Sequence, residues 1–210
     1  MTMNDAVAGV LLAGGLARRM GGGDKCLRSL GGRTILAHIV ERVRPQVTHL
    51  VLNANGDPAR FADFGLPVVG DSIEGFAGPL AGVLTAMEWI RQNRSQCAWV
   101  ASFPTDAPFL PTDLVAKMMK AVKQSGADMA CATSGGRAHP VVGLWPVRLA
   151  VELRQAMVAE EVRKVDIWTA RYQLQHVEFP IDPVDPFFNT NRPEDLDAAE
   201  ALLHAGNGGY

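Results

Sequence analysis

The stretch "LLAGGLARRMGGGDKCL", Leu11 to Leu27, carries five glycines, Gly14, Gly15, Gly21, Gly22 and Gly23, together with Arg18, Arg19 and Lys25. So many glycines cost backbone entropy, and a plain turn needs one or two. Their use is close approach: without side chains, backbone N–H groups can line up against an anion such as phosphate. Two arginines and a lysine add charge-assisted hydrogen bonds. The stretch contains neither GxxxxGK[ST] nor GxGxxG, so neither familiar nucleotide loop is being read. The plainer alternative is a strand-to-helix turn with solvated arginines. Further along, Asp106 in "SFPTDAPFLP" follows an apolar run. A carboxylate facing a phosphate loop repels the ligand unless a cation lies between them. Mg²⁺ suits that place, because it takes few carboxylates and completes its shell with water and phosphate oxygens.

Other polar residues follow apolar runs in the same way. Asp71 follows "LPVV", and Asn53 sits in "VLNAN". Either can read a ribose or base edge, and either can be a turn residue. Gly78, Pro79, Leu80, Ala81 and Gly82 open a helix whose small residues allow a flat ring to come close. Asn189 and Asn191 in "FFNTN" are candidates for ligation or for capping the next helix, with Asn191 at the N-cap. His139 reads as a structural or ligand-positioning residue, since no Ser or Cys nucleophile with a defined partner is legible near it. Asp113 reads as a helix-dipole partner. Arg163 and Lys164 form a small basic spot on an expected helix, suited to a solvated face or to a second anionic substrate.

The elements that must position these groups alternate. "AVAGVLLAG", "THLVLNAN", "LPVVGD", "CAWVASFP", "ADMACAT", "HPVVGLWP" and "LQHVEFP" read as strands. "TILAHIVERVRPQV", "PLAGVLTAMEWIRQN", "PTDLVAKMMKAVKQSG", "RLAVELRQAMVAE", "VRKVDIWTARYQ" and "RPEDLDAAEALLHAG" read as helices. Alternation with fully apolar strands predicts an α/β fold with a mostly parallel sheet covered on both faces. In such sheets ligands bind beyond the carboxyl ends of the strands. The Gly14–Lys25 loop, Asn53, Asp71, Thr105–Asp106, Asn189 and Asn191 are therefore expected to converge.

The bulk properties narrow the setting. A chain of 210 residues, 48% apolar, suits one globular unit. A formal charge of −2 provides no global field toward nucleic acid or an anionic membrane. Cys26, Cys97 and Cys131 are scattered and show no metal spacing, as expected of reduced thiols. The N-terminal apolar run is too short for a signal peptide or a span. The expectation is a cytoplasmic protein that uses neither nucleic acid nor membrane.

"LAGGLARRMGGGDK" resembles the signature LAGGxARRMGGxDK of the molybdenum cofactor guanylyltransferases, matching at Leu12, Ala13, Gly14, Gly15, Ala17, Arg18, Arg19, Met20, Gly21, Gly22, Asp24 and Lys25. "VLNAN", "GPLAGV", "PTDAPFLP", "HP" and "FxNxNxPEDL" fit in order, from about Val10 to Leu203. The resemblance implies a Rossmann-like three-layer sandwich of the nucleotide-diphospho-sugar transferase type. It implies transfer of GMP from GTP to molybdenum-molybdopterin, with Mg²⁺ as cofactor and Mn²⁺ as substitute. Leu12, Ala13, Gly14, Gly15, Gly22, Lys25, Asn53, Asp71 and Asp106 would bind GTP. Arg19, Lys25 and Asp106 would be catalytic, and Asp106 would hold the metal. Arg163, Lys164, Asn189 and Asn191 would serve molybdopterin. One domain over 1–203 is expected, its N-terminal half for GTP and its C-terminal half for molybdopterin, with 204–210 a flexible tail. Transient contacts with molybdenum-insertion proteins and apo-molybdoenzymes are implied too. Related cytidylyltransferases usually read LAAG followed by serine; here LAGG is followed by Leu16 and then ARR, which favours GTP. Another nucleotidyltransferase and a non-catalytic binding module are the alternatives.

Overall fold

Parallel strands need crossover connections, and this chain supplies them with helices. In a computed structural model of the protein, residues 5–14, 24–75 and 78–207 are described. Gly15, Arg18, Arg19, Gly21, Gly22 and Gly23 lie outside them. The order is β1 (Val7–Leu12), β2 (Ser29–Leu30), β3 (Arg33–Thr34), α1 (Ile35–Val43), β4 (His49–Asn53), β5 (Val68–Val69), α2 (Pro79–Asn93) and β6 (Trp99–Pro104). Then come α3 (Leu114–Ser125), β7 (Met129–Ser134), β8 (Arg137–Pro146), α4 (Ala150–Ala159), α5 (Val165–Thr169), β9 (Leu174–Phe179) and α6 (Pro193–Asn207).

Seven strands form one sheet in the order β5-β4-β1-β6-β8-β7-β9. All neighbours are parallel except that β8 runs against both β6 and β7. The sheet is buried on both faces. Residues of α1, α3 and α6 close one core with Leu11, Leu52 and Phe103. Residues of α2, α4 and α5 close the other with Val10, Val51 and Val100. This is the three-layer sandwich implied above, and it explains why β1 reads as a continuous apolar run.

Local sequence accounts for most boundaries. Thr34 caps α1 by accepting from the Ala37 N–H at 3.1 Å. Pro79 opens α2 and Gly126 closes α3 in the left-handed region, φ +70°. Asp113 takes the N-cap place of α3 without capping, and pairs with Lys117 at 2.9 Å.

Three expectations change. The helix expected over "VRKVDIWTARYQ" shrinks to Val165–Thr169. Arg163 and Lys164 lie in the extended approach to it, because burial of Val162 and Val165 pulls that approach against the core. Asn191 does not cap α6. The N–H groups of Asn191 and Arg192 both donate to Asp195 Oδ2 at 2.8 Å, leaving the Asn191 amide for another partner. Residues 204–207 belong to α6, so the helix runs into the stretch expected to be a flexible tail.

The antiparallel strand has its own device. Gly135 and Gly136, φ +53° and +76°, make the tight turn from β7 into β8. The pairing then breaks: Ala132 faces His139, but Cys131 faces Gly143. Pro140 has no N–H to give to a ladder, so residues 140–142 bulge out of register with β7. Ser102 of β6 accounts for the buried hydroxyl there, donating to Val141 O at 2.6 Å and accepting from Trp145 Nε1 at 2.8 Å.

Candidate active site

The carboxyl ends of β1, β4, β5 and β6 open into one cavity of about 890 Å³. Because β8 is antiparallel, it contributes its beginning rather than its end. Leu12, Ala13, Gly14, Lys25, Asn53, Asp71, Thr105, Asp106 and Asn189 all line this cavity. Residues spread over more than 170 positions thus meet where a doubly covered sheet places its ligands.

The centre is an ion pair. Lys25 Nζ lies 3.0 Å from Asp106 Oδ2 and 2.5 Å from Asn191 Oδ1. That second contact is why the Asn191 amide is turned away from the helix end. Asp106 is also fixed by its backbone, since its carbonyl accepts from Thr190 N–H at 2.8 Å and from Thr190 Oγ1 at 3.1 Å. Thr105 Oγ1 donates to Leu12 O at 3.0 Å, tying β6 to β1 at the edge. "PTD" and "FNTN" are thereby one unit, although 84 residues separate the bonded pair. Cys26 lines the same wall, but burial pushes its thiol up to about 11, with Asp24 adding to the rise. It stays a protonated thiol and is no nucleophile. Asp24 itself pairs with Arg60 at 3.1 Å.

One end of the cavity is an amide–carboxylate cluster. Asn53 Nδ2 donates to Asp71 Oδ1 at 2.9 Å and to Val69 O at 3.1 Å. Asn55 Nδ2 donates to Asp71 Oδ2 at 2.8 Å, and Asn55 Oδ1 accepts from Asp71 N–H at 2.8 Å. Both carboxylate oxygens of Asp71 are held, yet each keeps a lone pair for a ligand hydroxyl. Asn55 was not singled out from the sequence; its place two residues after Asn53 was the only signal. Gly82 belongs to this cluster for a different reason from the one expected. A Cβ there would stand 2.3 Å from Asn53 Oδ1 and 2.6 Å from Leu12 Cδ2. The close neighbour at Gly82 is the protein's own Asn53, not a ligand ring.

The loop that carries Asp71 is clamped from behind. Ser72 N–H donates to Thr85 Oγ1 at 2.8 Å. Arg154 of α4 donates to Ser72 Oγ at 3.1 Å while forking onto Glu88 of α2 at 2.5 and 2.8 Å. Burial works against the Glu88 charge, yet bonds from Arg154 and Ser72 hold its carboxyl below the usual range.

The other end of the cavity is formed by the start of β8 and by Phe187. His139 stacks on Phe187 with ring centroids 4.5 Å apart, and its Nε2 lies 2.8 Å from Ser134 Oγ. Burial lowers the pKa of this imidazole, Arg137 adds to the lowering, and Asp185 and Glu178 oppose it. Arg163 and Lys164 do not line the cavity. Arg163 O approaches Gly78 at the rim, 4.0 Å from where a Cβ would stand.

A doubly covered, mostly parallel sheet with this cavity at its carboxyl edge is the frame of a nucleotidyltransferase. The MobA-like NTP transferase domain family matches residues 9–176. A molybdenum cofactor guanylyltransferase of Bradyrhizobium sp. (strain ORS 278) is 56% identical over 197 residues, covering 94% of this chain and 93% of that protein. Another, from Rhodopseudomonas palustris (strain BisB5), is 54% identical over 202 residues, covering 96% of each. The fold is shared with the crystal structure of molybdopterin-guanine dinucleotide biosynthesis protein A from Archaeoglobus fulgidus, at TM-score 0.73 and 20% identity, covering 94% of this chain and 99% of that one. The chain belongs to the molybdenum cofactor guanylyltransferases.

Proposed function

We propose that this chain transfers GMP from GTP to molybdenum-molybdopterin, releasing pyrophosphate, with the base and ribose at the Asn53–Asp71 end of the cavity. The observation that carries the reading is the meeting of Lys25 and Asp106 between two differently built ends. A nucleotidyl transfer needs that order: a nucleoside site, a charged centre for phosphates, and room for an acceptor in line with the leaving group.

The acceptor is a phosphate monoester, largely ionised at neutral pH, so no strong general base is required. Catalysis reduces to alignment and charge neutralisation. Lys25 holds Asp106 and Asn191 until phosphates arrive, and its ammonium then serves the pyrophosphate that leaves. Arg19 and Gly22, by the resemblance, serve the same phosphates; both lie outside the described residues. Leu12, Ala13 and Gly14 stand at the end of β1, where backbone groups can meet the nucleotide; Gly15, given the same role by the resemblance, lies outside the described residues. Asn189 and Asn191 are assigned to the molybdopterin side; the resemblance gives the Arg163–Lys164 pair the same role, but that pair stands outside the cavity with Arg163 O near Gly78.

Among the described residues no group of three or more His, Cys, Asp or Glu side chains forms a cage for an ion. Asp106 is one carboxylate in a cavity that also holds the Asn189 amide. That donor set suits an ion that keeps most of its shell as water and phosphate oxygen, Mg²⁺ with Mn²⁺ as substitute. When bound there, it would supply neutralisation of charge on the α-phosphate. No helix among the described residues is long and apolar enough to cross a membrane. The expected setting is the cytoplasm, between a protein that inserts molybdenum and apo-enzymes that take the product.

The test compares pyrophosphate release from GTP, CTP, ATP and UTP with Mg²⁺ and molybdenum-loaded molybdopterin. Release from GTP alone is expected. Preference for CTP would make the chain a cytidylyltransferase, and GTP binding without release would make it a binding module.

A further inference from the structure

Strand order separates the two ends of the cavity. Asn53 closes β4, and β1 and β6 intervene before β8, where His139 sits. Three strand spacings, about 14 Å, lie between them. The phosphate centre is on the strands in the middle. On the functional reading above, which this inference deepens, His139 therefore faces the acceptor and not the nucleoside.

The hydrogen-bond pattern around His139 has one consistent proton assignment. Ser134 Oγ donates to Asp185 Oδ1 at 3.0 Å. Asp185 Oδ1 also accepts from Phe187 N–H at 3.0 Å, so the carboxylate is an acceptor in both bonds. A hydroxyl has one proton, and it is spent on Asp185. Ser134 Oγ can then only accept from His139 Nε2, 2.8 Å away, so Nε2 carries a proton. Ser134, the link of this relay, is 3% exposed, while His139 and Asp185 on either side of it are half-buried. Burial lowers the pKa of the imidazole below its ordinary 6.5, which favours the neutral ring at neutral pH. A neutral ring protonated on Nε2 has a bare lone pair on Nδ1. Among the described residues no hydrogen bond to Nδ1 is formed, and the ring lines the cavity. The break in the β7–β8 ladder just after it, at Pro140, aims this strand start at the ligand edge.

We propose that His139, pinned in its Nε2–H form by the Ser134–Asp185 relay, is a specificity residue whose Nδ1 accepts a hydrogen bond from an N–H group of the acceptor's heteroaromatic ring. Ser134 and Asp185 are positioning residues that act through it. A lone-pair acceptor repels phosphate, so this point selects the ring rather than the phosphate. Arg137, on the same wall, supplies the cation that an acceptor phosphate needs.

The experiment uses the full chain with molybdenum-loaded molybdopterin and GTP. In His139→Phe, which keeps the ring stack, the KM for the acceptor should rise about tenfold, the worth of one good hydrogen bond. The dissociation constant of GTP, measured by calorimetry, should stay at the wild-type value. His139→Asn, whose Oδ1 stands near the Nδ1 place, should restore most of the acceptor affinity. Ser134→Ala, which frees the ring, should raise the acceptor KM a few-fold. An unchanged acceptor KM in His139→Phe overturns the assignment, as does an equal loss of GTP affinity. Should His139→Phe fail to fold, an unchanged acceptor KM in Ser134→Ala overturns it instead. Absence of turnover in the wild type would defeat the functional reading alone. Calorimetric binding of molybdopterin to wild type and variant would then still decide the role of His139.

Discussion

The two ends of the cavity are built from similar polar groups but in opposite ways. At the end proposed for the nucleoside, Asn53 and Asn55 stand 18 and 16 residues from Asp71 and both bond directly to it. Each follows a parallel strand, so the strand delivers it to the edge. At the end proposed for the acceptor, Ser134 and Asp185 are 51 residues apart, and β8, the strand that carries His139, runs backwards. A polar group after a parallel strand advertises itself, whereas one at the beginning of an antiparallel strand does not. The first end is rigid because each member is short and doubly held. The second depends on a relay, so losing any one member leaves the others free to turn.

The largest effect should come from the centre that both ends share. Asp106→Ala should lower turnover by roughly 10²- to 10³-fold, as removal of one preorganised electrostatic contact does. Wild-type melting behaviour by circular dichroism would show the fold intact. Near-normal turnover would remove Asp106 from the phosphate centre.

Gly82→Ala aims at the nucleoside end through packing. The new Cβ collides with Asn53 and Leu12. A cost of about 1–3 kcal/mol in urea unfolding is expected, together with weaker GTP binding and an unchanged acceptor KM. If both substrates weaken equally, the two ends are not independent.

Arg154→Ala sharpens the same contrast with a smaller change. The Arg154–Glu88 pair is partly exposed, so its loss should cost no more than about 1 kcal/mol of stability. Its contact with Ser72 should matter more to function. Loosening the Asp71 loop should raise the KM for GTP a few-fold and leave the acceptor KM alone.

The smallest effect is a pH dependence confined to the acceptor end. Burial holds the His139 pKa below its ordinary 6.5 in the folded chain. Below that value the unfolded chain binds more protons than the folded one, so stability falls as pH falls. The contribution is complete above about pH 6.5 and is lost as pH drops toward the lowered value. Urea midpoints of wild type and His139→Asn, compared from pH 7.5 to 5, should converge at the acid end. Parallel curves would mean that His139 titrates as an exposed histidine does.

The nucleoside end and the centre were legible because sequence alternation announces strand ends. Asn53, Asp71 and Asp106 each close or follow an apolar run, as does the Gly14–Lys25 stretch after β1, and a parallel sheet must gather them on one edge. Asn191 was legible as important but not in its role. Local rules favoured a cap; Asp195 capped instead, and Lys25 took the amide. Gly82 was legible as a close approach without revealing what approaches. Arg163 and Lys164 were placed on a helix because their neighbours are apolar, and periodicity cannot distinguish a helix from a buried extended approach.

By itself the sequence determined the layering and the strand ends, because these depend on residue type and local period; the chemical class came from the resemblance of the Leu12–Lys25 stretch to a known family. Only the tertiary structure decided that β8 turns back, that Ser134, His139 and Asp185 meet, and that Lys25 spans Asp106 and Asn191. Those contacts join segments whose separation along the chain exceeds any local period. They exist because a covered sheet has few orders in which its strands can bury both faces, and the order adopted here sets His139 three strands away from Asn53.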